Sequence, residues 1–321
     1  NNAVLPAAIT VRIAREVLAE NGLDANLVTL MATDNRSDTT ALARHPAVRS
    51  IDFTGGNAFG SWLIDNCRQA QVYAELAGVN NIVIDSTDNY KGMLRNLAFT
   101  LSLYSGQMCT TTQAIFVPAG GIDTPDGKVP FDQVVADLAA ATEKFLSDPA
   151  VATAVLGAIQ SGDTLARIES ASQWGEVVLA SKKIDHPDFP QAEVRTPVLL
   201  KCDASNESAW MEERFGPIAF VVKVADTAAG IALSERVVNT HGALTVGLYT
   251  TQQSVINAMT AATWRSKVAL SINLTGGVFV NQSAAYSDYH GTGGNPAANA
   301  SYADSAFVAN RFRVVQRRYH V

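Results

Sequence analysis

The sequence has little cysteine and none of the cysteine spacings that build disulfide frameworks or structural zinc sites. Its 321 residues include three cysteines, Cys67, Cys109 and Cys202, and no Cys-x-x-Cys pair. Such a set predicts neither a disulfide-stapled fold nor a zinc-held one. The five histidines show no paired metal spacing either, so no metal site is predicted. A single reactive thiol in a reducing compartment fits this cysteine usage better.

Long apolar runs and long basic runs are also missing. No stretch approaches the ~18 apolar residues that a membrane span needs, and no basic segment followed by an apolar one opens the chain. The formal net charge of -6 provides no positive surface for nucleic acid or for an anionic membrane. The sequence therefore predicts a cytoplasmic protein with neither of those partners.

What the chain does contain is an ordinary globular balance, with 47% hydrophobic and 17% charged residues. Its length suggests two domain-sized units. Apolar residues at helical spacing predict a helix over 7–20 that ends at Asn21-Gly22, and strands and helices then alternate, which predicts an α/β fold with a parallel sheet. Strands are predicted over 27–31, 48–54, 81–85, 113–118, 197–202, 218–224 and 243–250, with an exposed edge strand over 311–319.

Cys109 lies in the run Gly106-Gln107-Met108-Cys109, a glycine turn that opens onto threonines. A free thiol has a pKa near ~8.5, and a helix N-terminus or backbone amides lower that value so that the thiolate can attack a carbonyl carbon. The turn is predicted to lie at a helix start, where the Cys109 amide can also stabilise a developing oxyanion. Cys67 and Cys202 lack such a turn and are predicted to be inert packing residues.

Two further carboxylates and a glycine turn accompany this cysteine. Glu75 lies in Ala74–Gly78, and Glu213 opens the run Glu-Arg-Phe-Gly-Pro. Phe53-Thr54 ends a predicted strand, and glycines 55, 56 and 60 follow it into a helix, an arrangement that can present amides to phosphates. Taken alone, these features also fit a surface glutamate, a charged helix end and a tight βα turn. Their occurrence together favours a catalytic base and cofactor contacts.

These four segments, in this order, resemble the aldehyde dehydrogenase superfamily. Its members carry a Phe-Thr-Gly-Ser turn, a Glu-Leu-Gly-Gly general-base segment, a Gly-Gln-x-Cys nucleophile and a Glu-x-Phe-Gly-Pro cofactor clamp. The resemblance implies NAD(P)-dependent oxidation of an aldehyde to a carboxylic acid through a cysteine thiohemiacetal and thioester. It implies Cys109 as nucleophile, Glu75 as general base, Glu213 and Phe215 at the nicotinamide ribose, and Gly55, Gly56 and Gly60 near the phosphates. The chain departs from the pattern at Gly56, where most members have serine, and at Ala77, where they have glycine.

The closing stretch, with Gly277–Gln282 and His290–Pro296, looks most like the phenylacetic-acid-degradation (PaaN-like) branch. That narrower resemblance implies a CoA-linked semialdehyde as the substrate. His290 and Asn281 are then candidate substrate contacts, with a structural loop role as the alternative for His290. The superfamily also implies a homodimer or homotetramer joined partly through the C-terminal strand.

The same resemblance predicts the domain organisation. Residues 1–75 would be the later part of a Rossmann-like nucleotide-binding domain, 76–285 a parallel-sheet catalytic domain, and 286–321 a C-terminal arm with a closing loop and an oligomerisation strand. Because the chain begins at Asn1, partway through such a unit, it is expected to be the C-terminal part of an enzyme whose second oxyanion donor lies upstream. Two alternatives stay open: an inactive fragment that only folds and self-associates, or a thiol acyl hydrolase independent of NAD.

Overall fold

A computed structural model describes residues 4–287, 290–301, 305 and 318. The predicted edge strand over 311–319, and with it most of the predicted C-terminal arm, lies outside these residues. The described residues form two compact units: one comprises residues to Ile51 with Trp62–Val72, and the other Asp52–Ser61 with the residues from Tyr73 onward. Among the described helices, none combines the length and the apolar character that a membrane crossing requires.

Helices and strands alternate through much of the chain. The helices are α1 Val4–Glu20, α2 Arg36–Ala43, α3 Asn57–Asn66, α4 Tyr90–Ser102, α5 Phe131–Phe145, α6 Pro149–Val155, α7 Gly162–Glu169, α8 Glu207–Trp210, α9 Thr227–His241, α10 Gln253–Ser266 and α11 Val280–Ala285. The strands are β1 Ser50–Thr54, β2 Gln71–Glu75, β3 Asn81–Ile84, β4 Ala114–Pro118, β5 Ile122–Thr124, β6 Gly127–Val129, β7 Glu176–Leu179, β8 Lys183–Ile184, β9 Val194–Arg195, β10 Val198–Asp203, β11 Ile218–Val224, β12 Thr245–Tyr249 and β13 Ala269–Ile272.

The first unit confirms one predicted element and corrects another. Helix α1 ends where Gly22 adopts a left-handed φ of 71°, as the Asn21-Gly22 pair predicted. The predicted strand over 27–31 is wrong. Ala25–Leu27 forms a short 3-10 helix whose first turn is capped by Asp24, and the rest of the run pairs with no strand among the described residues. Its apolar side chains stay exposed, so β-forming composition without a sheet partner was insufficient.

The second unit is built on a seven-stranded sheet with the order β13-β12-β3-β4-β11-β10-β7. Every neighbouring pair is parallel except β10 and β7. The central strands are buried along their whole length, because helices cover both faces. Ile82 and Ile84 pack with α4 and α5 on one face, while Val83 packs with α9 and α10 on the other. The predicted α/β fold with a parallel sheet is confirmed.

The candidate site residues gather at the amino-terminal edge of this sheet. The segment ending at Asn80 leads into β3, the cysteine turn leads into β4, and Glu213–Pro217 lead into β11. Gly242–Leu244 lead in the same way into β12. Since these strands are parallel, the four lead-in segments meet at one edge. Ligands in open α/β sheets usually bind at the carboxyl edge, so this site could not be located by the usual topological rule.

Candidate active site

Cys109, Glu75 and His290 form one cluster. The Cys109 Sγ lies 3.5 Å from His290 Nε2, and His290 Nε2 lies 3.0 Å from Glu75 Oε2. One donor atom from each residue lies within 4.8 Å of the other two. The side chains of His290 and Glu75 are 10% and 11% exposed, so both are largely shielded from water. The structure therefore brings together three residues that are far apart in the sequence.

The cluster changes the proton equilibria of its members. Contacts with Cys109, then with Glu75, raise the pKa of His290 from its ordinary value of 6.5 to about 10. Burial raises the pKa of the Cys109 thiol, and the hydrogen bond from His290 opposes that rise. His290 Nδ1 lies 3.2 Å from the Ala285 carbonyl, which orients the ring with Nε2 toward the other two residues. The imidazole thus couples the thiol to the carboxylate.

The turn that carries Cys109 is held by one buried amide side chain, that of Asn80, which the sequence did not reveal. Asn80 Nδ2 donates to the carbonyls of Cys109 and Thr111, at 2.7 and 3.1 Å. Asn80 Oδ1 accepts the N–H groups of Leu244 and Thr245, so this one side chain ties the turn to the segment before β12. The available sequence signal was an asparagine at the entry to a predicted apolar strand.

Cys109 does not lie at a helix start, contrary to the sequence prediction. It follows α4 and a short 3-10 helix over Leu103–Gly106, and it occupies a turn that precedes β4. Tyr104 and Ser105 both have a φ of 53°, a left-handed conformation that is strained for residues with side chains. At Gly106 an added Cβ would lie 2.4 Å from the Gly216 carbonyl oxygen, which explains the glycine. Any lowering of the thiol pKa comes from His290 and not from a helix terminus.

Asn281 supports this turn from inside the protein. Its side chain is 0% exposed and donates from Nδ2 to the Thr100 carbonyl at 3.1 Å. Its own carbonyl accepts the Thr110 hydroxyl at 2.8 Å. The Asn281 side chain is therefore buried behind the turn, and substrate contact through it stays a prediction.

Glu213 lies beside the segment that carries Glu75. Its Oε1 accepts the Gly78 N–H at 3.4 Å, and burial raises its pKa while that N–H and Arg167 oppose the rise. Glu213 lines a mainly polar cleft of about 280 Å³ together with Asn57, Gly78 and His241. Gln113 fixes the segment that precedes Glu213, since its side chain donates to the carbonyls of Trp210 and Glu212. Phe215, two residues on, is 37% exposed.

The three glycines of the predicted turn, Gly55, Gly56 and Gly60, differ in their hydrogen bonds and in the space around them. The Gly55 N–H donates to the Glu75 carbonyl at 3.0 Å, and the Gly60 N–H donates to the Gly56 carbonyl at 3.2 Å. An added Cβ at Gly60 would lie 2.1 Å from Leu76 Cδ2, whereas one at Gly56 would meet nothing within 4 Å. A side chain at position 60 would therefore have to displace the tip of Leu76, whereas Gly56 borders open space. A phosphate contact at Gly55 or Gly60 would have to use close backbone approach, because both amides already have partners.

Comparison with known proteins identifies relatives of this fold. The family model for the aldehyde dehydrogenase family matches residues 3–304. A crystal structure of an NAD-dependent aldehyde dehydrogenase from Burkholderia multivorans is similar over 99% of this chain and 57% of that one, with 54% identity and a TM-score of 0.94. The fold is thus that of an aldehyde dehydrogenase.

Two curated relatives are more distant. A 5-carboxymethyl-2-hydroxymuconate semialdehyde dehydrogenase from Escherichia coli is 24% identical over 69% of this chain and 47% of its own length. An N-succinylglutamate 5-semialdehyde dehydrogenase from Burkholderia multivorans is 27% identical over 68% of this chain and 44% of its own length. The chain spans about half the length of the curated relatives it matches.

Proposed function

We propose, from the premise that the chain belongs to the aldehyde dehydrogenase family, that it carries the catalytic centre for NAD(P)-dependent oxidation of an aldehyde to a carboxylic acid. The observation that carries this proposal is the contact of Cys109 with His290 and of His290 with Glu75. A thiol that can add to a carbonyl carbon and a carboxylate that can activate water are the protein groups that this thioester chemistry uses, and a bound nicotinamide would accept the hydride.

Cys109 acts as the nucleophile in this proposal. Its sulfur adds to the aldehyde carbon, and the thiol proton moves to the former carbonyl oxygen with His290 as a relay, which gives a thiohemiacetal. The amide of Cys109 is a candidate donor to the developing oxyanion. The strained turn and its buried supports hold the sulfur in place before substrate arrives, so little reorganisation is needed at the moment of reaction.

Glu75 acts as the general base that activates water for hydrolysis of the thioester on Cys109. One of its oxygens, Oε2, contacts His290, which leaves Oε1 to accept a proton from water. A general base contributes typically 10²–10⁴-fold to a rate, roughly. The Glu75 carboxylate is shielded from bulk water and lies close to the sulfur on which the thioester forms.

The residues present fit a nicotinamide cofactor. Glu213 is a shielded carboxylate that borders a polar cleft, and beyond the Gly78 contact a carboxylate has further lone pairs for ribose hydroxyls. Phe215 is exposed enough to pack against that ribose, and the open space at Gly56 allows a phosphate to approach the backbone. A bound NAD or NADP would supply the hydride acceptor. Gly55 and Gly60 would contribute by shaping the turn.

A semialdehyde is the proposed substrate class, because both curated relatives described above are semialdehyde dehydrogenases by name. The resemblance of the closing stretch to the phenylacetic-acid-degradation branch supports a CoA-linked semialdehyde in aromatic catabolism. His290 would also contact that substrate, since its Nε2 lies 3.5 Å from the Cys109 sulfur to which the substrate would be bound. The proposed assembly is a homodimer or homotetramer. The proposed domains are a nucleotide-binding part to residue 75, a catalytic part to 285 and a C-terminal arm.

The test combines cofactor binding with chemistry. NAD and NADP are titrated into the chain by fluorescence, and aldehyde oxidation is followed by nicotinamide absorbance with a panel of semialdehydes. We expect saturable binding, and we expect Cys109→Ser to lower oxidation at least about 1,000-fold, because the nucleophile is lost. Cys202→Ser is the matched control and should keep activity, because burial raises the pKa of that thiol to about 12. Oxidation that survives in Cys109→Ser would contradict the proposal.

A second candidate function is acyl hydrolysis without nicotinamide. The Cys109–His290–Glu75 contact favours it, because a thiol next to an imidazole that is oriented by a carboxylate is the arrangement of thiol hydrolases. Hydrolysis of a chromogenic ester, measured with and without NAD, separates the two functions. A rate that is unchanged by NAD, in a chain that oxidises no aldehyde, would favour the hydrolase.

A further inference from the structure

Cys109, His290 and Glu75 present one sulfur, one nitrogen and one oxygen toward a common point. This set is typical of the ligands of Zn²⁺, which binds cysteine sulfur, histidine nitrogen and carboxylate oxygen. The sequence predicted no metal site because its histidines lack paired spacing. Sequence spacing reveals only ligands that lie close together in the chain, whereas Cys109 and His290 are separated by 181 positions. Whether these three side chains can hold a zinc ion depends on the distances between their ligand atoms in the fold.

Two of the three ligand separations are near those of a tetrahedral zinc site, and the third is bounded at 4.8 Å. With Zn–S of about 2.3 Å and Zn–N and Zn–O of about 2.1 Å, a tetrahedral ion places sulfur and nitrogen about 3.6 Å apart and nitrogen and oxygen about 3.4 Å apart. The observed separations are 3.5 Å for Cys109 Sγ to His290 Nε2 and 3.0 Å for His290 Nε2 to Glu75 Oε2. The Cys109 sulfur and a Glu75 oxygen lie within 4.8 Å of each other, so rotation of these two side chains would bring all three ligand atoms around one ion.

The orientation of the histidine supports the same site. Ligating histidines almost always donate the other ring N–H to a carbonyl, carboxylate or water. His290 Nδ1 faces the Ala285 carbonyl at 3.2 Å, which leaves Nε2 directed at Cys109 and Glu75. The shielding of both partners from water reduces competition from solvent for these ligands.

We propose that Zn²⁺ binds Cys109, His290 and Glu75 and reversibly blocks the thiol. The ion displaces the protons that the thiol and the imidazole share, so binding releases protons and strengthens as the pH rises. A thiolate and a carboxylate neutralise its two positive charges, and water completes the coordination. Binding itself does not depend on the proposed dehydrogenase function. The consequence, that zinc inhibits turnover, does rest on it.

Cobalt(II) provides the first readout, because thiolate-bound Co²⁺ has a charge-transfer absorption band. The full chain is titrated with Co²⁺ and then with Zn²⁺. We expect one equivalent of Co²⁺ to produce the band, Zn²⁺ to remove it, and Cys109→Ser never to show it. Absence of the band in the folded wild-type chain would overturn the proposal.

Protection of the thiol provides the second readout. Alkylation of each cysteine is measured by mass spectrometry with and without Zn²⁺, and we expect slower labelling of Cys109 but not of Cys202. His290→Gln and Glu75→Gln should each weaken the protection by Zn²⁺ at least about 10-fold, whereas the matched control His186→Gln should not. His186 lies elsewhere, against Phe189. Circular dichroism checks that each variant is folded. If either His290→Gln or Glu75→Gln does not fold, the zinc protection measured for the other tests the ligand set.

Equal protection by Zn²⁺ in wild type, His290→Gln and Glu75→Gln would overturn the proposed ligand set. These readouts use neither aldehyde nor NAD, so their result is independent of dehydrogenase activity. A chain that binds Co²⁺ at Cys109 but oxidises no aldehyde would contradict the proposed function alone. A chain that oxidises aldehydes but gives no cobalt band would contradict the zinc site alone.

Discussion

The turn at Cys109 and the turn at Gly55-Gly56 differ in how firmly the protein holds them. The buried amide side chain of Asn80 bonds the carbonyls of Cys109 and Thr111, and the preceding Tyr104 and Ser105 keep a strained left-handed conformation. Gly55 and Gly56 are exposed, and Gly56 borders open space. Strained backbone persists where its surroundings over-determine it. The difference fits the proposal that the turn at Cys109 is rigid before ligands bind, whereas the turn at Gly55-Gly56 is completed by a bound cofactor.

The largest effect is expected from breaking the support of the cysteine turn. Asn80→Ala would leave two carbonyls and two N–H groups without their partner. We expect a loss of about 3–5 kcal/mol in the free energy of unfolding, because each orphaned buried group costs about 1–3 kcal/mol when water does not replace the bond. Urea unfolding measures this loss. Asn89→Ala is the matched control: it removes only an exposed helix cap, at a cost of about 1 kcal/mol. Equal losses in the two variants would show that the turn is not specially held.

The next effect concerns the base beside that turn. Glu75→Gln should slow steady-state aldehyde oxidation by about 100-fold or more, because an amide cannot take a proton from water. Addition of the thiol should persist, so rapid mixing should still show a burst of reduced nicotinamide. Glu176→Gln, which removes only an exposed partner of Lys201, is the control and should leave the rate unchanged. If the burst and the turnover fall together, Glu75 acts before hydrolysis and its assignment changes.

A matched pair of glycine substitutions tests the open side of the comparison. Gly60→Ala would push the flexible tip of Leu76 aside, at a cost of up to about 1 kcal/mol of stability that the higher helix propensity of alanine partly offsets. Gly56→Ala fills open space and should change stability by no more than about 0.5 kcal/mol. Gly56→Ala should instead weaken NAD binding, since it blocks approach to the backbone. Thermal unfolding and NAD titration of both variants separate the two roles. Unchanged NAD affinity in Gly56→Ala would remove this turn from the proposed cofactor site.

Much of this architecture could be predicted from the sequence because its signals are local. The apolar runs of the central strands, the glycine at the end of α1 and the Gly-Gln-x-Cys turn each depend on a few adjacent residues. The role of Asn80 and the contact of His290 with Cys109 depend on chain segments that meet only in the folded protein. The strand predicted over 27–31 failed for the same reason, since a strand needs a partner that composition does not reveal.

His290 provides a test by pH of the firmly held side, the turn at Cys109. Contacts with Cys109 and Glu75 raise its pKa from 6.5 to about 10, so the folded state holds this proton more tightly than the unfolded state. The resulting stability is present in full below about pH 6.5 and is lost as the pH rises through 10. Unfolding in urea across this range should show that decline in the wild type and a weaker one in His290→Gln.

The same substitution acts on the thiol in the opposite direction. The imidazole opposes the rise that burial causes in the pKa of Cys109, so His290→Gln should raise that pKa further. Alkylation of Cys109 near neutral pH should then slow by about 10-fold for each unit of pKa increase. A merely structural role for His290 would change stability without moving the pH at which alkylation is half-maximal. If that midpoint is the same in both proteins, His290 does not tune the nucleophile, and the coupling of thiol to carboxylate proposed for this site is wrong.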